Sequence, residues 1–461
     1  MKNFSAVILA AGAGTRMKSS LPKVLHELSG KSLIKWVIDA VSRLNPDSIV
    51  LVIGHKSNIV EESLKGLNVS FVYQKEQLGS AHAFMQAGSV LGKYNGDILV
   101  LSGDVPLIKT QTLRSLLQSH QKSANSITVL AAKTPRPFGY GRIIRNGEVL
   151  EKIVEEKDAS PAQRQINEIN SGIYCFDKNV WAALSQVKPN NAKKEYYITD
   201  TVAVLKAMGR QAGLFTIDND IEIKGINSRK ELSEAQKIVQ TLKIDELLAA
   251  GITIINPSAV YISPDAKIGA DTIIYPGAFI AQNVKIGKNC RIEGSSYISN
   301  SKIGNNVEIK YSYIEGAVVG NSTQIGPFSH IRPDSVLKEN VKVGNFSEIK
   351  KSVIAKSVKI NHLSYIGDAQ IGEDVNVGAG TITCNYDGQK KHKTVIGSKS
   401  FIGSNVNFVA PVKIGKSALI AAGSTITRDV PSGGLAFGRA RQRNVDRKDK
   451  KVVINNKDGG L

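Results

Sequence analysis

The sequence predicts an α/β domain with a mostly parallel sheet, followed by a parallel β-helix. The first 227 residues alternate short apolar segments with amphipathic ones, the pattern of strands and helices in βαβ units. After Gly251, isoleucine or valine followed by glycine recurs with a six-residue period. We therefore expect an α/β domain over residues 1–227, a charged linker helix over 228–250, a β-helix over 251–438 and a basic tail over 439–461.

The N-terminal part begins with a strand that runs into a glycine-rich turn. The predicted strands are "FSAVILAA", "SIVLVIG", "VSFVYQ" and "DILVLSGD", and the predicted helices are "SLIKWVIDAVSRL", "SNIVEESLKGL" and "SAHAFMQAGSVLG". The turn has Gly12-x-Gly14 but not the third glycine of a dinucleotide site, and no acidic residue ends the following strand. The turn also lacks the Gly-Lys-Ser/Thr of a Walker loop. The turn still offers the backbone N–H groups of small residues, with the cations Arg16 and Lys23 nearby, and this combination predicts an anion site.

The C-terminal repeats predict a coil with three sides. Ile268 and Ile286 are 18 residues apart, whereas Val319 and Ile325 are 6 apart, so three six-residue strands make one turn. The inward Ile and Val residues would stack into a continuous core. The period breaks between Val377 and Ile396, where the polar segment "GAGTITCNYDGQKKHKT" predicts a binding loop on a rigid scaffold.

Composition narrows the class of protein. No apolar segment reaches the roughly 18–20 residues of a membrane span, the apolar run 6–11 is short for a secretory signal, and the three cysteines form no Cys-x-x-Cys pair. We expect a cytoplasmic protein without membrane partners. The net charge of +20 favours anionic ligands, either nucleic acid or small phosphorylated molecules. Aromatic residues are 6% of the chain and do not interleave with the basic tail, which argues against nucleic acid.

A set of motifs in fixed order carries a family resemblance. They are "LAAGAGTRMKSSLPKVLH", "QLGSAHA", "SGDVPL", "GYGRI", "EINSGIY" and "NAKKEYYITD", then "RPDSVL", "NFSEIKKS", "NHLSYIGDAQIG" and "GAGTITCNYDG". From about residue 4 to about residue 439, the chain resembles the bifunctional N-acetylglucosamine-1-phosphate uridylyltransferase/glucosamine-1-phosphate acetyltransferases.

The resemblance implies a Rossmann-like nucleotidyltransferase domain and a left-handed β-helix, although parallel crossovers are right-handed in about 98% of cases. It also implies a homotrimer with the acetyl site between subunits. Acetyl transfer from acetyl-CoA to glucosamine-1-phosphate would come first. Mg²⁺-dependent uridylyl transfer from UTP would then release pyrophosphate and supply precursors of peptidoglycan and lipopolysaccharide.

The resemblance also implies the residues of a uridylyl site. The catalytic cations are Arg16 and Lys23, and Mg²⁺ is held by Asp104 and Asn227. Asp104 ends the predicted strand "DILVLSGD" at the carboxyl edge of the sheet and offers a hard oxygen, although a turn-capping aspartate is the alternative. The residues that match UDP-N-acetylglucosamine contacts are Leu9, Ala10, Ala11, Gly12, Lys23, Gln74, Gly79, Ser80, Gly141, Glu155, Asn170 and Asn227.

Acetyl transfer to an amine needs a base near neutrality, because an ammonium cannot attack a thioester. His362 in "NHLSY" is the candidate, with Glu348 expected to hold its other ring nitrogen. The positions that match sugar phosphate contacts are Arg332, Lys350, Tyr365, Asn376, Asn385 and Tyr386. The positions that match acetyl-CoA contacts are Ala379, Ser404, Ala422 and Arg439.

Two alternatives remain open. One is a nucleotide-sugar pyrophosphorylase whose β-helix serves only regulation or assembly; such a module would not need His362, Asn385 and Lys350. The other is a nucleic-acid-binding protein that has lost catalysis.

Overall fold

The computed structural model describes residues 3–444, and the chain divides into two compact units between Val239 and Gln240. The strands of the N-terminal unit are β1 (Phe4–Ala10), β2 (Glu27–Leu28), β3 (Lys31–Ser32), β4 (Ile49–Ile53), β5 (Ser70–Tyr73), β6 (Asp97–Ser102), β7 (Ile127–Lys133), β8 (Arg142–Asn146), β9 (Val149–Val154), β10 (Glu168–Phe176) and β11 (Ala212–Ile217). The α-helices up to the division are α1 (Leu33–Ser42), α2 (Ser57–Ser63), α3 (Ser80–Gln86), α4 (Gly88–Leu91), α5 (Thr110–Ser123), α6 (Pro161–Arg164), α7 (Val180–Leu184) and α8 (Thr201–Ala207), with α9 (Arg229–Ala249) crossing it.

The main sheet has the order β11-β7-β10-β6-β1-β4-β5. β1 is parallel to both β6 and β4, so the carboxyl ends of these three strands lie at one edge. β10 runs antiparallel to β6 and β7, and the β8–β9 hairpin joins β10. The mostly parallel sheet and all of its predicted strands and helices are confirmed, with "SAHAFMQAGSVLG" divided into α3 and α4. The antiparallel β10 and the β8–β9 hairpin were not predicted.

Apolar clusters cover both faces of this sheet, as expected for strands buried on two sides. On one face, Ile34 of α1 and Leu113 of α5 pack against the sheet, and on the other face Phe84 of α3 does so. The Phe84 ring lies 5.5 Å from that of Phe176 and 5.3 Å from that of Trp181. This packing fixes the strand ends that carry the candidate site.

Helix α9 matches the predicted linker helix closely. The Ser228 hydroxyl accepts from the N–H of Glu231 (3.3 Å), and Gly251, with φ +83°, follows the helix. Ala235 and Val239 belong to an apolar cluster of the N-terminal unit, whereas Ile244 and Leu247 belong to the core of the C-terminal unit. The chain therefore passes from one unit to the other within this helix.

The C-terminal unit is a coil whose strands form three parallel sheets, called here faces 1, 2 and 3. The strands of face 1 are Thr253–Ile254, Ile273–Ile274, Arg291–Glu293, Glu308–Lys310, Gln324–Ile325, Lys342–Asn345, Lys359–His362, Asn376–Val377, Phe401–Ile402, Leu419–Ile420 and Leu435–Ala436. Those of face 2 are Tyr261–Ile262, Phe279–Ile280, Tyr297–Ser299, Tyr313–Glu315, His330–Ile331, Glu348–Lys350, Tyr365–Gly367, Ile382–Cys384, Asn407–Val409 and Thr425–Ile426. Those of face 3 are Lys267–Ile268, Lys285–Ile286, Lys302–Ile303, Val318–Val319, Val336–Leu337, Val353–Ile354, Ala369–Ile371, Thr394–Ile396 and Val412–Ile414.

The inward residues of the three faces form one continuous apolar core. Ile349, Ile354 and Ile360, one from each face, are all 0% exposed. Burying such a side chain stabilises the coil by roughly 1.5–3 kcal/mol. The predicted binding loop is shorter than expected, because Ile382–Cys384 is a strand of face 2 and only residues 385–393 leave the coil. Among the helices within residues 3–444, none is long and apolar enough to cross a membrane.

Two candidate active sites

A cavity of about 260 Å³ opens at the carboxyl edge of the sheet in the N-terminal unit. The predicted site residues that line it are Leu9, Ala10, Ala11, Gly12, Lys23, Gln74, Gly79, Ser80 and Asp104. The sequence did not predict the further lining residues Val24, Gln77, Ala83, Ser102 and Glu195. Arg16 is exposed on the 3₁₀ turn Thr15–Met17 and is not among the residues that line the cavity.

Hydrogen bonds fix the side of this cavity that carries Gln74. Buried Gln74 donates through Nε2 to the carbonyl of Gly79 (3.1 Å), and Gln77 donates to the carbonyl of Ala11 (3.0 Å). Gly79 has φ +114°, and a Cβ there would lie 2.5 Å from the Tyr196 carbonyl oxygen, so only glycine fits. The Ser80 hydroxyl accepts from the N–H of Ile198 (3.0 Å) and keeps its own O–H as a donor.

Lys23 lies between the two predicted metal ligands. Its ammonium donates to Asp104 Oδ2 and to Asn227 Oδ1, the latter at 2.9 Å. The other carboxylate oxygen of Asp104 accepts from the Ser102 hydroxyl (2.6 Å), and the N–H of Asn227 donates to Glu231 (2.5 Å). Two oxygen atoms from distant parts of the sequence therefore converge on one positive charge.

The three residues predicted to hold the amino sugar lie together on β8, β9 and β10 or at their ends. A Cβ on Gly141 would lie 3.4 Å from Glu155 Oε1 and 3.6 Å from the Cβ of Asn170. Asn170 donates through its N–H to the Gly141 carbonyl (2.9 Å) and through Nδ2 to the Tyr174 hydroxyl (2.7 Å). Burial raises the pKa of the Glu155 carboxyl, and a hydrogen bond from Thr199 (3.3 Å) opposes that shift.

In the C-terminal unit, face 2 carries a group of cations on successive coils. Arg332 donates through Nη1 to Glu348 Oε1 (2.7 Å). The ammonium of Lys391 lowers the pKa of Lys350, and Arg332 adds to that effect. Like charges this close favour an anion between them. Lys391 was not among the predicted site residues, although the basic segment "QKKHK" in the period-breaking loop carried the signal.

Tyr365 and Asn385 both lie beside Gly367, which is in register with Lys350. A Cβ on Gly367 would lie 2.5 Å from the Tyr365 hydroxyl and 2.8 Å from Asn385 Nδ2. Buried Asn385 also donates to the carboxylate of Asp368. Exposed Tyr386 instead donates to the carbonyl of Gly388 (2.6 Å), within its own loop.

Asn376 is separate from this group. It lies on face 1, in register with Lys359 and Phe401, while Tyr365 and Lys350 belong to face 2. Within this chain the structure does not place Asn376 beside the predicted sugar phosphate residues of face 2.

The structure corrects the expected pairing of Glu348 with His362. His362 is the last residue of a face 1 strand and lies in register with Asn345, whose Oδ1 is 2.7 Å from Nδ1 of the ring. Glu348 begins a face 2 strand, in register with Tyr365, and its carboxylate binds Arg332. With the amide oxygen of Asn345 at Nδ1, that nitrogen carries the proton and exposed Nε2 is left as the base.

The predicted acetyl-CoA residues form a column that begins at His362. The His362 carbonyl accepts from the N–H of Gly380 (3.4 Å), and the Ala379 carbonyl accepts from that of Asn405 (2.6 Å). One coil further, the Ser404 carbonyl accepts from the N–H of Gly423 (2.8 Å). Arg439 closes the column by donating through Nη1 to the Ala422 carbonyl (2.9 Å). Backbone hydrogen bonds thus connect these residues, coil by coil, to the strand end that carries the candidate base.

Comparison with known proteins matches both units. Residues 5–220 match the family described as Nucleotidyl transferase, residues 256–331 match the GMPPB C-terminal domain, and residues 316–351 and 393–428 match the Bacterial transferase hexapeptide (six repeats). The chain is a nucleotidyltransferase joined to a hexapeptide-repeat transferase, whose three stacked parallel sheets form the predicted left-handed β-helix.

Its relatives include three proteins named Bifunctional protein GlmU. That of Halalkalibacterium halodurans is 47% identical over 97% of this chain and 98% of its own length. That of Caldanaerobacter subterraneus is 48% identical over 97% of each chain, and that of Syntrophomonas wolfei is 47% identical over 96% of this chain and 99% of its own. The chain belongs to the GlmU family of bifunctional proteins, and the predicted pair of uridylyltransferase and acetyltransferase activities is confirmed.

Proposed function

We propose that the chain makes UDP-N-acetylglucosamine at the two sites described above, with UTP and acetyl-CoA as co-substrates. The C-terminal unit acetylates glucosamine-1-phosphate first, and the N-terminal unit then transfers the uridylyl group. The observation that best supports the assignment is the convergence of Asp104 and Asn227 on Lys23, because Lys23 and Asp104 line the same cavity as the predicted nucleotide residues.

In the uridylyl step, a phosphate oxygen of N-acetylglucosamine-1-phosphate attacks the α-phosphorus of UTP. A P–O bond forms while the bond to the β-phosphate breaks, and pyrophosphate leaves. Such a reaction needs positioning and charge neutralisation more than a protein nucleophile. Gln74, Gly79 and Ser80 hold the base, while Gly141, Glu155 and Asn170 hold the amino sugar.

The residues present fit a magnesium ion. Asp104 Oδ2 and Asn227 Oδ1 already face one cationic atom, and both are the hard oxygen ligands that Mg²⁺ takes in small number. When bound, Mg²⁺ would neutralise charge on the phosphates. Ser102 orients the Asp104 carboxylate, and Glu231 fixes the backbone of Asn227. Lys23 supplies positive charge at the same place, with Arg16 proposed as a second cation.

In the acetyl step, Nε2 of His362 accepts a proton from the substrate ammonium. The freed amine attacks the thioester carbonyl and a C–N bond forms. The C–S bond then breaks, and the nitrogen gives up a second proton to the departing sulfur, so that CoA leaves as a thiol. Asn345 holds the ring through Nδ1, while Arg332 and Lys350 face the phosphate. Glu348 acts by holding Arg332. Tyr365, Asn376, Asn385 and Tyr386 complete the proposed sugar phosphate site.

We also propose a cytoplasmic homotrimer in which the acetyl-CoA column lies between subunits. Exposed aromatic residues support an interface, since Phe328 and Phe346 stack 5.4 Å apart and are each 57% exposed. The predicted divisions at residues 227, 250 and 438 remain part of the proposal. Residues 445–461 of the predicted basic tail lie outside the described residues.

Two substitutions test the assignment of the sites. Asp104→Ala removes a proposed metal ligand and should lower uridylyl transfer at least about 100-fold while acetyl transfer stays unchanged. His362→Ala should lower acetyl transfer about 100-fold or more and leave uridylyl transfer unchanged. Pyrophosphate release with UTP and CoA release with acetyl-CoA measure the two steps. Loss of both activities in either folded variant would contradict the assignment of two separate sites.

A further inference from the structure

Residues 385–393, called here the hairpin, leave the coil between faces 2 and 3. Their side chains are mostly polar, so apolar burial contributes little to ordering them. The hairpin is ordered by hydrogen bonds instead. The Asn385 carbonyl accepts from the N–H of His392 (2.8 Å), and Tyr386 and Lys391 form an antiparallel bridge.

Asp387 is the centre of this hydrogen-bonding pattern. Its Oδ1 accepts from the N–H groups of Gln389 (2.8 Å) and Lys390 (2.6 Å), and its Oδ2 lies 2.6 Å from Nε2 of His392. The N–H of Lys390, then His392 and Gln389, holds the pKa of Asp387 well below its usual range. The carboxylate is therefore charged near neutrality, and its contact with His392 ties the turn of the hairpin to its return strand.

Lys391 directly precedes His392 and is the residue that brings a third cation to face 2. The hairpin leaves the coil beside Lys350, because the N–H of Asp368 donates to the Lys350 carbonyl (3.0 Å) and Asn385 donates to the Asp368 carboxylate. The ammonium of Lys391 is the main cause of the lowered Lys350 pKa. Two ammonium groups repel one another, and a flexible lysine side chain moves apart from a like charge unless its backbone is held nearby. The backbone of Lys391 is held by the bridge to Tyr386 and by the neighbouring His392.

We propose that the Asp387–His392 pair is a brace that keeps Lys391 beside Lys350, on the face that also carries Arg332. His392 is then a positioning residue for the phosphate monoester of the sugar substrate. This inference rests on the proposed function, which places that phosphate at Arg332 and Lys350. It adds a residue that acts through Lys391 without touching the substrate.

The test compares variants of the full chain in acetyl transfer. His392→Ala should raise the KM for glucosamine-1-phosphate about tenfold, the loss expected for one charge-assisted hydrogen bond, with kcat and the KM for acetyl-CoA within about twofold. His392→Gln keeps an amide N–H at the place of Nε2 and should stay close to the unsubstituted chain. Lys391→Ala should match His392→Ala, and the double variant should be no worse than Lys391→Ala alone.

Lys390→Ala is the matched charge control, because it removes a positive charge from the hairpin and keeps the backbone N–H that Asp387 accepts. Its KM should change less than about twofold. A Lys390→Ala effect as large as that of Lys391→Ala would overturn the brace in favour of overall hairpin charge. If His392→Ala fails to fold, as judged by circular dichroism, His392→Leu, which also removes the ring nitrogens but keeps most of the side-chain volume, takes its place and decides the question.

The outcomes separate the two proposals. If Lys391→Ala raises the KM and His392→Ala does not, the brace is wrong and the phosphate site stands. If Arg332→Ala and Lys350→Ala leave the KM for glucosamine-1-phosphate unchanged, the proposed phosphate site itself is wrong, and the brace with it.

Discussion

Glu155 shows how one side chain of the proposed sugar site lowers the stability of the folded chain. Burial raises the pKa of its carboxyl, so the folded chain binds the proton more tightly than the unfolded chain does. Ionisation of Glu155 therefore opposes folding. That opposition is absent below the unfolded pKa of about 4.3 and complete above the raised pKa of the folded state.

Glu155→Gln should consequently unfold at a higher temperature than the unsubstituted chain at pH about 8, with the difference vanishing near pH 4. Uridylyl transfer should fall, because the proposed sugar contact loses its charge. Thermal unfolding at the two pH values measures the effect. Glu151→Gln, an exposed glutamate of the same strand, is the control and should show neither change. A lower unfolding temperature for Glu155→Gln at pH 8 would contradict the argument.

Lys23 makes a second prediction at the residue scale. Lys23→Met leaves the buried carboxylate of Asp104 without its cation and should destabilise the N-terminal unit by about 1–3 kcal/mol. Millimolar Mg²⁺ should then raise the unfolding temperature of this variant more than that of the unsubstituted chain, because the ion replaces the missing charge. Asp104→Asn should not respond to Mg²⁺. Equal responses in all three proteins would argue against a metal site at Asp104.

At the scale of elements, the sequence predicts structure best where a local pattern sets it. The six-residue period identified inward residues such as Ile286 and Ile325 because every coil repeats one environment. The antiparallel β10 was not predicted, since its partners β6 and β7 are distant in sequence and its own residues are buried on both faces like those of a parallel strand. The pairing of strands that lie far apart in the sequence leaves no local sequence pattern from which it could be predicted.

The same distinction applies to the candidate sites. The loop after β1 and Asp104 lie at strand ends, where topology brings ligands, and the structure places both at one cavity. Asn345 and Lys391 were missed because their roles come from stacking of coils and from a fold internal to the hairpin. Residues that act through a neighbouring coil cannot be identified from spacing along their own coil.

One strand of face 3 offers a matched pair of core and surface residues. Val353 is 41% exposed and Ile354 is 0% exposed on the same two-residue strand. Ile354→Ala should destabilise the C-terminal unit by about 2–5 kcal/mol, because it opens a cavity in the continuous core. Val353→Ala should stay within about 0.5 kcal/mol. Denaturant unfolding, monitored by acetyl transfer activity, measures both changes. Equal losses of unfolding free energy in the two variants would contradict the inward orientation of Ile354.

At the scale of the whole molecule, the net charge of +20 has the sign that the two proposed anion sites require. Positive potential over a surface raises the rate at which anionic ligands arrive. Both proposed reactions use phosphorylated sugars and a phosphorylated co-substrate. The cations proposed to take part in the chemistry are few, namely Lys23 and Arg16 in one unit and Arg332, Lys350 and Lys391 in the other.

The place where the chain divides leads to the last prediction. A division at residue 227 follows the change in sequence pattern, yet α9 supplies groups to the N-terminal unit beyond that point. Glu231 accepts from the N–H of the proposed metal ligand Asn227 (2.5 Å), and Ala235 and Val239 pack in one cluster with Leu28 and Leu33. A chain cut after residue 227 loses all three.

We therefore expect a fragment of residues 1–250 to retain uridylyl transfer, and a fragment of residues 1–227 to lose at least about tenfold in rate and several degrees in unfolding temperature. Two effects contribute: the shorter fragment exposes Leu28 and Leu33, and it loses the hydrogen bond that holds the backbone of Asn227. Glu231→Ala in the full chain removes the acceptor of the Asn227 N–H and isolates the second effect, because the packing of Ala235 and Val239 stays intact. If the two fragments proved equally active and equally stable, the first half of α9 would be a linker only, and the support it gives to Asn227 would not matter for the reaction.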